Sequence, residues 1–223
     1  MTNIKVKKIQ INGRDLHIRE DEPLDWFEDL YSASDPAGEG VPWANMETHP
    51  LFAAWLERRH LDGKGKSAIV VGCGMGDDAI ELELLGFDVT AFDFSNAAIE
   101  YCKKRFPDSK VNFVQADLFS PPDEWAGTFD FVLEIYTVQA VPPAYEGTAI
   151  RNISGFIAPR GQALVITEVG AGERSFDKGP PWPLTPEHVE AFASHDLNIE
   201  DRHVGETDEN GMTTFITTFA RSA

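Results

Sequence analysis

The stretch with the clearest chemical signal is a glycine-rich loop, in which Gly72, Gly74 and Gly76 alternate with other residues. The loop follows the apolar run of residues 67–71 and precedes a helix-like segment. Glycines at such a turn permit positive φ angles and let a ligand approach the backbone closely. The loop therefore predicts a ligand site, and the alternative is a tight turn that binds nothing.

The spacing of this loop indicates what kind of ligand it holds. Its pattern is G-x-G-x-G, whereas dinucleotide sites have G-x-G-x-x-G. Asp77 and Asp78 open the next helix, where the pyrophosphate of a dinucleotide would meet two carboxylates. A ligand with an amine and ribose hydroxyls avoids that repulsion, so a nicotinamide dehydrogenase is disfavoured. Cys73, inside the loop, is expected to pack there and not to act as a nucleophile.

Two further acids follow the next two strand-like runs. Asp93 ends the second run, 17 residues beyond Gly76, where a carboxylate can reach the hydroxyls of a ribose held over the glycines. Asp117 follows the third run and is predicted to accept an exocyclic amine, with Leu118 against a purine face. The alternatives are a helix-start carboxylate favoured by the helix dipole for Asp93 and a turn cap for Asp117.

Glu134 and Tyr136 are the catalytic candidates, because they follow the fourth run at the edge where open α/β sheets bind ligands. Glu134 is predicted either to bind an ammonium group or to deprotonate an acceptor, and a plain structural role is an equal alternative. Trp43 is expected to fold over the ligand, with core packing as the alternative. The six histidines lack metal-ligand spacing and cysteine neighbours, so no metal site is predicted.

The elements that must position these residues alternate between strands and helices from residue 67 onward. This order predicts right-handed βαβ units and a parallel sheet that is covered on both faces. Helices are predicted over about 143–157 and from residue 185 to about residue 194. The last two strand-like runs are joined tightly at Asn210-Gly211, so they must pair antiparallel.

The segment before the sheet has a different pattern. Residues 4–19 predict a hairpin around Asn12-Gly13, a pair that favours a two-residue turn. One helix is predicted near residues 24–31, and a second is predicted to begin near Thr48, a plausible N-cap. Residues 24–56 are rich in aromatic side chains and contain a breaker-rich loop. We therefore predict that they form a lid, ordered more fully when the ligand is bound.

Composition and charge exclude several function classes. The 223 residues include 19 Lys and Arg against 37 Asp and Glu, which gives a net charge of −18. Such a chain repels nucleic acid and anionic membranes, so we expect neither as a partner. No apolar stretch approaches the length of a membrane span, and the first residues lack the apolar region of a signal peptide. With two cysteines only, a cytoplasmic location is expected.

Residues 67–168 resemble the class I S-adenosylmethionine-dependent methyltransferases. The glycine loop, the second-strand acid and the third-strand acid fall in that family's order, and Ile157–Leu164 is similar to its turn from a helix into the fifth strand. The resemblance implies S-adenosylmethionine as cofactor and S-adenosylhomocysteine as product. It also implies the cofactor-binding residues Trp43, Gly72, Cys73, Gly74, Gly76, Asp78, Asp93, Phe94, Asp117, Leu118 and Glu134.

The fold that the resemblance implies is a Rossmann-like three-layer α/β sandwich. Its sheet has seven mostly parallel strands with an antiparallel C-terminal strand, and an N-terminal hairpin and helical lid precede it. We expect a single methyltransferase domain over residues 1–223, with the hairpin and lid in residues 1–60 and the Rossmann-like core in residues 67–223.

A narrower resemblance links the chain to the thiopurine and thiol/halide methyltransferases. The run from Gly72 to Asp78 is similar to their G-C-G-x-G-x-D loop, and residues 134–143 are similar to their Asp-Tyr-x-x-Phe-x-Ala-Leu-x-Pro stretch. Glu134 stands where that group has Asp, and its arginine after the prolines is displaced or missing, with Arg151 nearest downstream.

The expected function is methyl transfer to a small molecule, with a thiol or thiopurine-type sulfur acceptor. The alternatives are an O- or N-methyltransferase of a small metabolite and a cofactor-binding regulatory or interaction protein without turnover. A monomer or a homodimer is expected.

Overall fold

The computed structural model describes residues 4–223, which form a seven-stranded sheet, a separate hairpin and flanking helices. The strands are β1 (Val6–Ile11), β2 (Arg14–Arg19), β3 (Ser67–Val71), β4 (Asp88–Asp93), β5 (Asn112–Gln115), β6 (Phe129–Ile135), β7 (Ile157–Val169), β8 (Leu197–Thr207) and β9 (Thr213–Arg221). The α-helices are α1 (Asp25–Ser32), α2 (Pro50–Arg59), α3 (Asp77–Leu84), α4 (Asn96–Arg105), α5 (Pro143–Phe156) and α6 (Pro186–Glu190).

The large sheet has the strand order β5-β4-β3-β6-β7-β9-β8. Strands β3 to β7 pair in parallel, and β9 runs antiparallel to both of its neighbours, β7 and β8. The tight turn between β8 and β9 leaves these two strands no other way to pair. The predicted Rossmann-like fold, with a mostly parallel seven-stranded sheet and an antiparallel C-terminal strand, is thus confirmed.

Helices cover both faces of this sheet, which is why its strands are apolar on both sides. In β3, Ala68 and Val70 pack in a cluster with residues of α2, α3 and α4. Ile69 and Val71, which point to the other face, pack in a cluster with residues of α5 and α6. The carboxyl ends of β3, β4 and β6 therefore meet at one edge between two packed layers.

The N-terminal hairpin forms as predicted. Asn12 and Gly13 have φ angles of 49° and 77°, as a two-residue hairpin turn with two positive φ angles requires. Leu16 and Ile18 of β2 pack against Trp26 of α1 and Trp182, so the hairpin is joined to the rest of the molecule through its own small core.

The helices of the predicted lid are packed into the core. Phe52 and Trp55 of α2 are buried against Phe131 of β6, and Trp26 and Tyr31 of α1 are also buried. Deleting such contacts costs several kcal/mol, so these helices are part of the folded body rather than a movable cover. Within the predicted lid, only the loop between α1 and α2, residues 33–49, can therefore act as a movable cover.

Two predicted helices differ in detail from the structure. Helix α2 begins near Thr48 as predicted, but its N-cap position is occupied by His49, because Pro50 is its first residue. The single helix expected from residue 185 to about residue 194 is a short α6 followed by a 3-10 helix over Ala191–His195. Neither change moves a strand. No helix within residues 4–223 is long and apolar enough to cross a bilayer.

Candidate cofactor and acceptor site

A cavity of about 500 Å³ opens at the carboxyl edge of β3, β4 and β6. The glycine loop and the first turn of α3 form one side of it, and the loop between α1 and α2 lies across it. This is the edge at which open α/β sheets bind ligands, and the volume lies within the range of cofactor and small-molecule sites.

The glycine loop has a backbone that only glycine adopts without cost. Gly72, Gly74 and Gly76 have φ angles of 60°, 53° and 88°. A Cβ atom on Gly72 would lie 2.7 Å from the Oγ1 atom of Thr137, and one on Gly76 would lie 2.9 Å from the Sγ atom of Cys102. The alternation of glycines is thus required by both conformation and close packing.

Asp93 lies at the floor of the cavity and holds the glycine loop in place. Its Oδ2 atom accepts a hydrogen bond from the backbone N–H of Gly74 at 3.0 Å, and its Oδ1 atom accepts one from Ser95 at 2.9 Å. Burial raises the pKa of Asp93 to about 6. The carboxylate predicted to bind a ribose therefore also joins the ends of β3 and β4.

The two acids that open α3 have different partners. Asp77 forms a two-pronged ion pair with Arg105 of α4, with N–O distances of 2.7 and 2.8 Å. Asp78 accepts a hydrogen bond from the backbone N–H of His49 at 2.7 Å, and burial raises its pKa to about 6. Asp78 thereby ties the start of α2 to the cavity, a role that was not visible in the sequence.

The ionisable lining of the cavity is acidic. Four carboxyl side chains line it, and no Lys or Arg of residues 4–223 does. The four are Glu47, Asp77, Asp78 and Asp93. Such a lining favours a cationic ligand and disfavours a phosphate.

Trp43 lies at the cavity wall and is 44% exposed. Its indole Nε1 atom donates a hydrogen bond to the hydroxyl of Tyr31 at 2.9 Å, and its ring meets those of Trp26 and Phe27 edge-on at 6.1 Å. Tyr31 is buried and also lines the cavity. The loop between α1 and α2 is therefore held down by one aromatic side chain that remains partly open to solvent.

Glu134 lies outside the cavity lining. It is fully buried in β6 on the same side as Val132, since alternate residues of a strand face the same layer. Its Oε1 atom accepts hydrogen bonds from the backbone N–H groups of Thr137 and Val138 at 2.7 and 2.9 Å. Burial raises the pKa of Glu134 to about 7. This geometry favours the structural alternative, in which Glu134 holds the turn after β6.

Tyr136, the other catalytic candidate, does line the cavity. Its φ angle of 59° turns the chain sharply at the end of β6, and its hydroxyl donates a hydrogen bond to Glu168 at 3.2 Å. Burial and the neighbouring Glu168 raise the pKa of Tyr136 to about 12. Tyr136 is therefore a protonated wall residue at neutral pH.

The remaining predicted residues divide into two groups. Cys73, Phe94 and Leu118 line the cavity together with the glycines. A hydrogen bond with Cys102 and burial raise the pKa of the Cys73 thiol well above its usual range, which suits a packing residue. Asp117 lies outside the lining, and its Oδ1 atom accepts a hydrogen bond from the backbone of Phe119 at 2.7 Å. This contact fits the turn cap that was its alternative.

The structure adds residues that sequence reasoning missed. His49 lines the cavity, and its ring meets that of Tyr136 edge-on at 5.4 Å. Thr137 and Gln139 line it from the turn after β6. No motif or periodicity marks a histidine at a helix cap as a site residue, and only the fold brings it to this edge.

Comparison with known proteins shows a similarity to methyltransferases over part of the chain. A family profile described as a methyltransferase domain matches residues 68–161. The chain is 30% identical over 124 residues to a ubiquinone biosynthesis O-methyltransferase of Azotobacter vinelandii, which covers 54% of this chain and 52% of that protein. It is 27% identical over 154 residues to the probable thiol methyltransferase 2 of Arabidopsis thaliana, which covers 67% of this chain and 65% of that protein. The matches thus span less than two thirds of these relatives.

A solved structure with the same fold is the Burkholderia thailandensis 1,6-didemethyltoxoflavin-N1-methyltransferase with bound 1,6-didemethyltoxoflavin and S-adenosylhomocysteine. It superposes with a TM-score of 0.68 at 16% sequence identity, covering 100% of this chain and 97% of that chain. The profile match spans the glycine loop, β4, β5 and β6, which carry most of the cavity. Residues 68–161 thus match a methyltransferase domain, and the chain is similar to methyltransferases over 54% to 67% of its length.

Proposed function

We propose that this chain transfers the methyl group of S-adenosylmethionine to a small neutral or cationic molecule. The observation that carries the proposal is the acidic cavity at the glycine loop, which offers four carboxyl side chains and no Lys or Arg of residues 4–223. S-adenosylmethionine carries both a sulfonium and an ammonium group, so this lining attracts it.

Within this proposal each part of the cavity has a role. When bound, the sulfonium supplies the electrophilic methyl group, and the protein supplies alignment and a dry site. The glycine loop brings its backbone against the cofactor, and Asp93 faces the ribose hydroxyls from the end of β4. Phe94 and Leu118 pack against the adenine. Trp43 covers the opening and excludes water.

Sulfur and oxygen acceptors each have support. The similarity to the probable thiol methyltransferase 2 and the G-C-G-M-G-D-D loop favour sulfur. The similarity to ubiquinone biosynthesis O-methyltransferases favours oxygen. A thiol needs little help from a base, because a pKa of about 8.5 leaves a few per cent of it ionised at pH 7. A hydroxyl acceptor needs a base within reach.

The test is a mass-spectrometric screen with isotope-labelled S-adenosylmethionine and a panel of thiols, halides, amines and phenols. We expect a labelled methyl product and S-adenosylhomocysteine with at least one class of small molecule. Cofactor binding in a calorimeter without turnover of any acceptor would favour the rival function, a cofactor-binding regulatory or interaction protein. Methylation of RNA or DNA at physiological salt would contradict the proposed acceptor class.

The same proposal includes a cytoplasmic location, a monomer or homodimer, and no nucleic-acid partner. The net charge of −18 supports the last of these, since nucleic-acid binding depends on cationic contacts to phosphates. Light scattering at several concentrations measures the oligomeric state directly.

A further inference from the structure

His49 lines the cavity, although it was not among the site residues predicted from the sequence. It occupies the N-cap position of α2, its backbone N–H is held by Asp78, and its ring lies against the ring of Tyr136. The Nδ1 atom is enclosed and has no hydrogen-bond partner in the described part of the chain. An enclosed ring nitrogen without a partner is uncommon, because burial of an unsatisfied polar group is costly.

Three of the other titratable groups at the cavity, Asp77, Asp93 and Tyr136, are engaged in contacts elsewhere. Asp77 is paired with Arg105, and Asp93 accepts two backbone hydrogen bonds. The hydroxyl of Tyr136 donates a hydrogen bond to Glu168 and has a pKa of about 12, so it keeps its proton at neutral pH. Glu134 does not line the cavity. Among residues 4–223, His49 is the one histidine that lines this cavity.

We propose that His49 is a catalytic residue, the general base that accepts the proton of a hydroxyl acceptor. This inference rests on the proposed methyl transfer. Since Nδ1 is enclosed, Nε2 is the ring nitrogen available to the acceptor. The acceptor O–H bond breaks and its proton goes to Nε2, while the oxygen electron pair forms the bond to the methyl carbon. The bond from that carbon to the sulfonium sulfur breaks, and the sulfur keeps its electron pair as the thioether of S-adenosylhomocysteine.

The surroundings of the ring suit a base near neutral pH. Burial lowers the pKa of His49, so the ring is neutral and able to accept a proton at pH 7. Three ionisable residues are near His49: Asp78 of α3 contacts its backbone, Tyr136 contacts its ring, and Glu47 lies on the same loop. Two more are hydrogen-bonded to neighbours of His49, namely Glu81 to Thr48 and Glu168 to Tyr136. These carboxyl groups favour the imidazolium that forms as the proton arrives.

The inference also narrows the substrate class to weakly acidic hydroxyl compounds. A phenolic hydroxyl with a pKa of about 10 is ionised in only about one molecule in a thousand at pH 7. A positioned base contributes about 100- to 10,000-fold to such a proton transfer. A thiol, which is ionised more readily, gains much less from it.

The test compares His49→Gln with the matched control His203→Gln, an exposed residue of β8 far from the cavity. Catechol and benzyl thiol are the acceptors. In His49→Gln, kcat/KM for catechol is expected to fall by about 100-fold or more, and the ratio of catechol to thiol methylation is expected to fall with it. In the wild type, kcat/KM for catechol should fall on the acid side of the ordinary histidine pKa, because burial lowers the pKa of His49, and this acid limb should be lost in His49→Gln.

Calorimetry with S-adenosylhomocysteine and thermal unfolding show whether His49→Gln is folded and binds the cofactor product; His49→Asn serves as a second variant if it does not. An equal loss for both acceptors, or an unchanged pH profile, would contradict the role of His49. A wild type that methylates thiols but no hydroxyl compound would contradict this inference and leave the proposed function intact. A wild type that methylates nothing in the panel would contradict both.

Discussion

The acids of the site are held by backbone N–H groups more than by cationic side chains. Asp78, Asp93 and Glu134 each accept at least one backbone hydrogen bond, and burial raises the pKa of each. Asp77 alone of the four carboxylates that line the cavity has an arginine partner among residues 4–223. Asp78 and Asp93 therefore keep their negative charge available for a cationic ligand, at the cost of being desolvated.

Replacement of Asp93 by alanine tests the ribose contact. Loss of a charge-assisted partner costs roughly 1.5–3 kcal/mol, so affinity for S-adenosylmethionine should fall by about 10- to 150-fold. Calorimetry measures this, with Asp88→Ala at the exposed opposite end of β4 as the control. NAD should bind poorly to the wild type. Equal cofactor affinity in wild type and Asp93→Ala would remove Asp93 from the site.

Alanine variants of two glycines with positive φ angles distinguish the effect of backbone strain from that of a steric clash at the cofactor site. Gly72 and Gly65 have φ angles of 60° and 74°, and a Cβ atom on Gly65 meets no described atom within 4 Å. Alanine at either position should cost about 1–2 kcal/mol of stability through backbone strain. Only Gly72→Ala places a methyl group against Thr137, so only this variant should also lose cofactor affinity. If both variants bind equally well in a calorimeter, the close approach at Gly72 is not required for binding.

At the scale of elements, the segment between α1 and α2 is the part of the N-terminal region that can act as a cover. It is held by the hydrogen bond from Trp43 to Tyr31, by Val41, which is buried against Met75 and Tyr101, and at its end by the bond from His49 to Asp78. The helices on either side are anchored by buried aromatic residues. Of residues 33–49, only Gly38 and Val41 are buried, and a loop with so few buried residues opens at a lower free-energy cost than either helix.

Hydrogen exchange tests this cover. We expect cofactor to slow exchange of the amides of residues 34–47, because closure over the ligand adds contacts that the loop lacks alone. Trp43→Ala should lower kcat/KM with little change in thermal stability, since Trp43 is 44% exposed. Trp55→Ala, which deletes a ring that is 4% exposed, should instead destabilise the fold by about 3–5 kcal/mol.

The opposite outcome has a clear signature. If the amides of residues 34–47 are equally protected with and without cofactor, and Trp43→Ala unfolds the protein as Trp55→Ala does, the loop is core and not a lid.

At the scale of the whole molecule, the buried acids link stability to pH. The pKa of Glu134 rises to about 7, and those of Asp78 and Asp93 to about 6, so the folded state binds protons more tightly than the unfolded state. The contribution of these groups to the free energy of unfolding is therefore full below about pH 4 and is lost as the pH rises towards 7. His49 and His188, whose pKa values are lowered, act in the opposite sense.

The variant Glu134→Gln shows how much Glu134 contributes to the pH dependence of the free energy of unfolding. Glutamine keeps the oxygen that accepts from Thr137 and Val138 but cannot ionise. Between pH 5 and pH 7 the free energy of unfolding of the wild type should fall relative to the variant by about 2 kcal/mol. Urea unfolding of both proteins without cofactor at pH 5, 6 and 7 measures the difference. A constant difference across this range would mean that the carboxyl group does not titrate there.

Local patterns in the sequence predicted the fold and the position of the cavity. Alternation of apolar strands with helices predicts a parallel sheet, and Asn12-Gly13 predicts a hairpin turn, because both signals depend on residues a few positions apart. The glycine loop was recognisable for the same reason, since a positive φ angle is a requirement of one residue at a time. The end of β4 then followed from the order of the strands, which placed Asp93 beside that loop.

Tertiary structure alone decided which side chains face the cavity. Glu134 points into the layer beneath α5, because its place in the alternation of β6 sets its direction, whereas Tyr136 enters the cavity through a turn with a positive φ angle. The pairing of Asp77 with Arg105 and the contact of Asp78 with His49 join residues of separate elements. Such contacts leave no periodic trace in the sequence, since they arise from how the helices pack on the sheet.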